Sequence, residues 1–157
     1  MSTAAAPHSG IDRRKGTRDA IDRFVKQRTQ MWSLYWKLAG LKPFSDENDS
    51  LKESLDEFCQ VLVDYIAGGH FTLYDRIEQG KERRKAVAER ADELYPRIVD
   101  LTDVAIRFND RYMEGDADKP TLDRDLSYLG EALANRIELE DQLISELLGE
   151  PLEADQA

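Results

Sequence analysis

Apolar residues recur along most of this chain at spacings that alternate between three and four, the signature of a helix with one buried side, and no stretch alternates like a strand. The spacing predicts a first helix over 17–39, with Ile21, Phe24, Val25, Trp32, Tyr35, Trp36 and Leu38 on a broad apolar side. Gly40 ends it, and Pro43 prevents its resumption. A second helix starts at Ser50, whose hydroxyl can cap the helix while Glu53 reaches back in an S-x-x-E capping box. Its inward face is Leu55, Phe58, Cys59, Leu62 and Ile66. Gly68 and Gly69 each cost about 1 kcal/mol inside a helix, so the pair predicts a break before a short third helix over 70–79.

From 81 to 113 the stripe is Val87, Ala91, Leu94, Ile98, Leu101, Ala105, Phe108 and Tyr112. Pro96 lies inside it and lacks a backbone donor, which predicts a kink or two abutting helices. A loop over 115–120 leads to Thr121, a good cap for a last helix bearing Leu122, Leu126, Leu129, Leu133, Ile137, Leu143, Ile144, Leu147 and Leu148 and ending at Gly149. A helix of about 27 residues is roughly 40 Å long, a length that only an elongated bundle covers. The expected fold is therefore all-α: an elongated antiparallel four-helix-bundle-like domain over 13–149, with additional short helices. Residues 1–12 and 150–157 lack periodicity and read as disordered tails, the second acidic.

With 157 residues, 41% hydrophobic and 34% charged, the chain suits one folded domain. Lys and Arg number 22 against 32 Asp and Glu, a formal charge of −10 that disfavours direct contact with nucleic acid or anionic lipid. The charge is uneven. Arg13, Arg14, Lys15, Arg18, Arg23, Lys26 and Arg28 crowd one end, whereas seven acidic and no basic residues follow from Glu138 onward. Such a field can steer a basic protein partner. The basic run is interrupted by Asp12, Asp19 and Asp22, which fits a solvated helix face with local ion pairs better than a nucleic-acid arm. No apolar run reaches the roughly 18 to 20 residues of a membrane span, and no signal-peptide core follows 1–6, so a cytoplasmic location is expected. Cys59, the single cysteine, reads as a buried small hydrophobe.

Catalytic and metal chemistry find little support. His8 falls in the tail and His70 stands alone, and neither has a Glu three residues before it, as a carboxylate-bridged di-metal bundle needs. Asp46, Asn48, Ser50 and Glu57 imitate the spacing of a calcium loop, but Leu51 stands where the sharp turn requires Gly. No phosphate-binding glycine loop, nucleophile elbow or paired C-x-x-C occurs. The reading is a non-enzymatic protein without metal or cofactor. The aromatics Phe24, Trp32, Tyr35 and Trp36 read as core, with a partner groove as the other use of two nearby tryptophans.

The segment LDEFCQVLVDYIAGGHFTLYDRI at 55–77 closely resembles the signature of the Rsd/AlgQ anti-sigma proteins. IDRF at 21–24, GLKP at 40–43 and LGEALANRIELEDQLI at 129–144 join it in the right order. The resemblance spans about 12–148, and between 78 and 119 it rests on helical character alone. The chain departs from the pattern at Gly68-Gly69, where a small residue and one glycine are expected, and in an extended N-terminal tail. The resemblance implies a partner: the C-terminal region of the primary RNA polymerase sigma factor, the basic helix-turn-helix domain that reads the −35 element. It implies sequestration of that domain, which leaves core polymerase to alternative sigma factors. Core polymerase is a further candidate contact. The competing reading is a helical adaptor of the same fold that binds another cytoplasmic regulator or enzyme.

On the second helix Glu53, Glu57, Gln60 and Asp64 form a polar stripe turned away from the apolar face, bordered by Val61 and Tyr65. The resemblance makes Asp64 the first candidate for a sigma arginine, with Glu57, Gln60, Val61, Tyr65, Gly68 and Phe71 around it. For the stripe alone the plain reading is a solvated helix face. Phe71 also suits the core and His70 the carbonyls freed at the glycines. With every apolar stripe used inside one bundle, a monomer is expected.

Overall fold

The computed structural model describes residues 9–44, 49–80, 85–113 and 119–149, and all of its regular structure is helical. Five α-helices follow in order: α1 (Ser9–Ala39), α2 (Asp49–Gly69), α3 (Asp75–Gly80), α4 (Lys85–Tyr112) and α5 (Lys119–Leu148), with a π-helical turn (His70–Tyr74) joining α2 to α3. The long helices form a square antiparallel bundle in which α1 and α4 each lie beside α2 and α5. Cross-helix pairs fix each direction. Phe24 stacks on Tyr65 with centroids 5.7 Å apart while Lys37 reaches Glu57, so α1 and α2 run oppositely. Tyr35 donates to the Leu126 carbonyl at 3.0 Å while Arg28 meets Glu140, which sets α1 against α5. Phe58 meets Phe108 edge-on and Tyr74 meets Tyr95, which sets α2 against α4. Arg90 donates to Gln142 and Tyr112 to Asp125, which sets α4 against α5.

The expected apolar positions mostly go inside. Leu55, Phe58, Cys59 and Leu62 of α2 are buried, as are Val87, Ala91, Leu94, Ile98, Ala105, Phe108 and Tyr112 of α4. Along α5, Leu126, Leu129, Leu133, Leu143 and Leu147 are buried with heptad spacing. Several boundaries and faces differ from expectation. α1 begins by Ser9, so 9–12 are helical, while 1–8 and 150–157 lie outside the described residues. Ser50 and Thr121 fall inside the first turns of α2 and α5, because those helices begin at Asp49 and Lys119. A helical path from Asp49 also carries Ser50 and Glu57 on regular helix, which a calcium loop does not allow. Trp36 is 58% exposed. Pro96 sits within the single helix α4 and does not divide it.

The glycine pair does not break the chain. α2 runs through Gly69 and passes directly into the π turn, in which the Asp75 N–H bonds to the His70 carbonyl. Both glycines face side chains of neighbouring helices instead, Gly68 the movable end of Gln27 and Gly69 the buried Arg136 and Phe24. A Cβ on Gly68 would stand 2.5 Å from Gln27 Oε1, and one on Gly69 would stand 3.0 Å from Arg136 Nη2 and 3.4 Å from the Phe24 ring. At the other end α1 stops at Gly40, where the Gly40 N–H bonds to the Trp36 carbonyl at 2.9 Å. Gly149 closes α5 with a positive φ of 71°.

Two predictions follow from this packing. Gly130 receives the Tyr35 hydroxyl and ring directly against its backbone. Gly130→Ala gains about 1 kcal/mol of helix propensity but forces that ring aside at a cost of about 1–3 kcal/mol, so urea titration should show a net loss. Burial pushes the Cys59 thiol up to about 12, with Asp56 adding to the effect. At pH 8 it should resist a thiol-reactive dye in the native protein and react fully in denaturant.

Candidate functional site

The outward face of α2 is the polar row expected from its spacing. Glu53, Glu57, Gln60 and Asp64 are all exposed, and Val63, 38% exposed, stands beside Asp64. Glu57 lies 3.8 Å from Lys37 in a solvated pair, of a kind that contributes little to stability. Val61 is half-buried against the core. Tyr65 does not border the row, because it is fully buried. It follows Phe58 and Leu62 at i+7 and i+3, the spacing of the buried stripe, and that spacing was readable in the sequence. Gly68 is half-buried beside the Gln27 side chain. Phe71 does not fill the core: the π turn points it outward, 66% exposed, and sends Leu73 inward. His70 is exposed, with its ring 5.2 Å from that of Phe71. Of the expected site residues, Glu57, Gln60 and Asp64 thus share one exposed face, Phe71 is exposed at the far end of α2, and Tyr65 is withdrawn.

The bundle centre holds a charged cluster that the sequence reading missed. Glu140 is 1% exposed, Arg136 2% and Arg28 8%. The Tyr65 hydroxyl lies 2.8 Å from each Glu140 carboxylate oxygen and donates to the pair. Arg28 Nη1 approaches Glu140 at 3.4 Å and its Nη2 reaches Asp141 at 2.8 Å, while Arg136 Nε stands 3.2 Å from Glu140 Oε2. The Arg136 guanidinium lies 5.0 Å from the Tyr65 ring centroid, and bare Gly69 leaves room beside it. Burial raises the Glu140 carboxyl above its ordinary value against the opposing pull of the two arginines. Burial also raises the Tyr65 hydroxyl, and Glu140 adds to it, so Tyr65 stays a donor. The missed signal was register. Leu126, Leu129, Leu133, Arg136, Glu140, Leu143 and Leu147 make one heptad row, so the two charges occupy core positions.

Among the described residues no group of three or more His, Cys, Asp or Glu is placed to hold a metal. No helix among them is long and apolar enough to cross a membrane. Comparison with known proteins then decides the class. Residues 8–148 match the family described as regulator of RNA polymerase sigma(70) subunit, Rsd/AlgQ. The chain belongs to the Rsd/AlgQ family. It is 36% identical over 143 residues to the Regulator of sigma D of Enterobacter sp. (strain 638), an alignment covering 88% of this chain and 86% of that protein. It is 35% identical over 137 residues to the proteins of that name from Shigella boydii serotype 4 and Escherichia coli K12, covering 85% of this chain and 86% of each. No solved structure matches significantly. The Rsd/AlgQ segments at 55–77 and 129–144 are the ones that the buried cluster joins, through Tyr65 and Gly69 on one side and Arg136 and Glu140 on the other.

Removing the carboxylate strands the buried Arg136 guanidinium and leaves Arg28 with Asp141 as its carboxylate. Glu140→Ala should therefore lower stability by about 3–5 kcal/mol in urea titration. Asp141→Ala, at a less deeply buried site where the carboxylate meets Arg28 at 2.8 Å, should cost less.

Proposed function

We propose that this chain is a non-catalytic anti-sigma factor that binds the primary RNA polymerase sigma factor in the cytoplasm. Its partner surface is the sigma C-terminal region, the basic helix-turn-helix domain that reads the −35 element, and the chain acts on it as a monomer. Holding that domain keeps sigma from joining core polymerase and promoter together. Membership of the Rsd/AlgQ family carries this reading, and the relatives named Regulator of sigma D agree with it. The surface supports it in kind: the exposed α2 row of Glu57, Gln60 and Asp64 offers carboxylates to a basic partner, on a chain of formal charge −10. Asp64 is the foremost contact, suited to a bidentate arginine pair.

Titration with the isolated sigma C-terminal region should give a one-to-one complex whose affinity falls as salt rises. Asp64→Arg should raise Kd about tenfold or more and leave the circular dichroism unchanged. An unaltered Kd would remove Asp64 from the interface. Recovery of another cytosolic protein in place of sigma would establish the adaptor reading.

A further inference from the structure

α4 presents a second apolar stripe, separate from its buried face. Tyr95, Val99 and Ile106, with Met113 in the turn directly after the helix, are 40%, 45%, 45% and 42% exposed. At 3.6 residues per turn these four positions fall within about 40° of one another, along about 27 Å of helix. Six of the eight large apolar side chains exposed among the described residues lie on this stripe or on the neighbouring α2 and π turn, where they are Val63 and Phe71. Tyr95 ties the stripe to that turn through its edge-on contact with Tyr74 at 4.7 Å. The bundle fills its core from the other side of α4, so Val99 and Ile106 are left nearly half exposed on the surface.

A row of acid runs beside it. Asp92, Asp103 and Asp110 each stand three residues before Tyr95, Ile106 and Met113, so the unit D-x-x-apolar occurs three times on one side of the helix. All three aspartates are exposed, and Asp103 is paired with Arg107 at 2.9 Å. An apolar edge bordered by regularly spaced carboxylates is complementary to an amphipathic helix that carries Lys and Arg beside its own apolar edge. It is poorly suited to a second copy of this chain. Pairing through the stripe would set aspartate rows near each other in molecules already at formal charge −10.

We infer that this α4 stripe is a docking surface for a basic amphipathic helix of the sigma C-terminal region, which thereby spans α4 as well as the acidic row of α2. The inference rests on the sigma-binding reading above. It assigns apolar burial to Val99 and Ile106 and charge steering to Asp92 and Asp110, while Asp64 serves the adjoining helix.

The test is titration of the full chain with the isolated sigma C-terminal region across a salt series. The double variant Val99→Glu with Ile106→Glu should raise Kd about tenfold or more. Tyr128→Glu, at an equally exposed aromatic on α5 (62%), should leave Kd unchanged. Asp92→Lys with Asp110→Lys leaves the apolar stripe intact, so it reports on docking even if the glutamate pair disturbs folding. It should weaken binding and flatten the salt dependence. If both α4 double variants bind like the wild type while Asp64→Arg binds weakly, α4 is not covered and the inference fails with the sigma reading intact. If the wild type itself does not bind, that reading falls and takes the inference with it. A wild-type dimer dissolved by Val99→Glu with Ile106→Glu would assign the stripe to a second copy and overturn the inference.

Discussion

The carboxylate of Glu140 is the point on which this bundle depends. It lies at the centre of four apolar helices, where an isolated charge is costly, and its surroundings answer that cost from three elements at once. Arg28 comes from α1, Tyr65 from α2, and Arg136 from one turn earlier on α5. Each partner must arrive at the right height along its helix, so the cluster fixes register in a way that leucines sliding over leucines do not. The bare backbone of Gly69 belongs to the same arrangement, because a side chain there would crowd the Arg136 guanidinium. The π turn follows immediately, where α2 ends and the chain turns Phe71 to solvent.

Fixing the register also fixes the outside. With Phe58, Leu62 and Tyr65 held inward, Gln60 and Asp64 have only the solvent side of α2 to occupy. The acidic character of the surface is therefore a property of whole helix faces, rigidly presented. An interface built on such faces loses little side-chain and backbone freedom on association, and its carboxylates act on encounter before any contact is made.

Much of this was legible in the sequence. Helix number, the apolar stripes of α2 and α4 and the stop at Gly149 follow from periodicity and from glycine placement. Where the structure departs from these local rules, tertiary packing is the reason. Gly68 and Gly69 look like a helix break when scored by propensity, yet α2 runs through both, and at Gly69 the Phe24 ring of α1 and the Arg136 guanidinium of α5 leave little space for a side chain. Arg136 and Glu140 look like surface charge by composition, although their heptad register with Leu133 and Leu143 places them inside. Phe71 looks like core by type, and only the π turn, which no sequence period announces, reverses it.

The most direct test of the account is amide hydrogen exchange of the full chain, alone and with the isolated C-terminal region of the primary sigma factor. The account predicts slowed exchange in peptides from the second half of α2 through the π turn, and unchanged exchange along the solvent side of α5. Protection confined to α5 or to the N-terminal half of α1, with α2 unchanged, would contradict it.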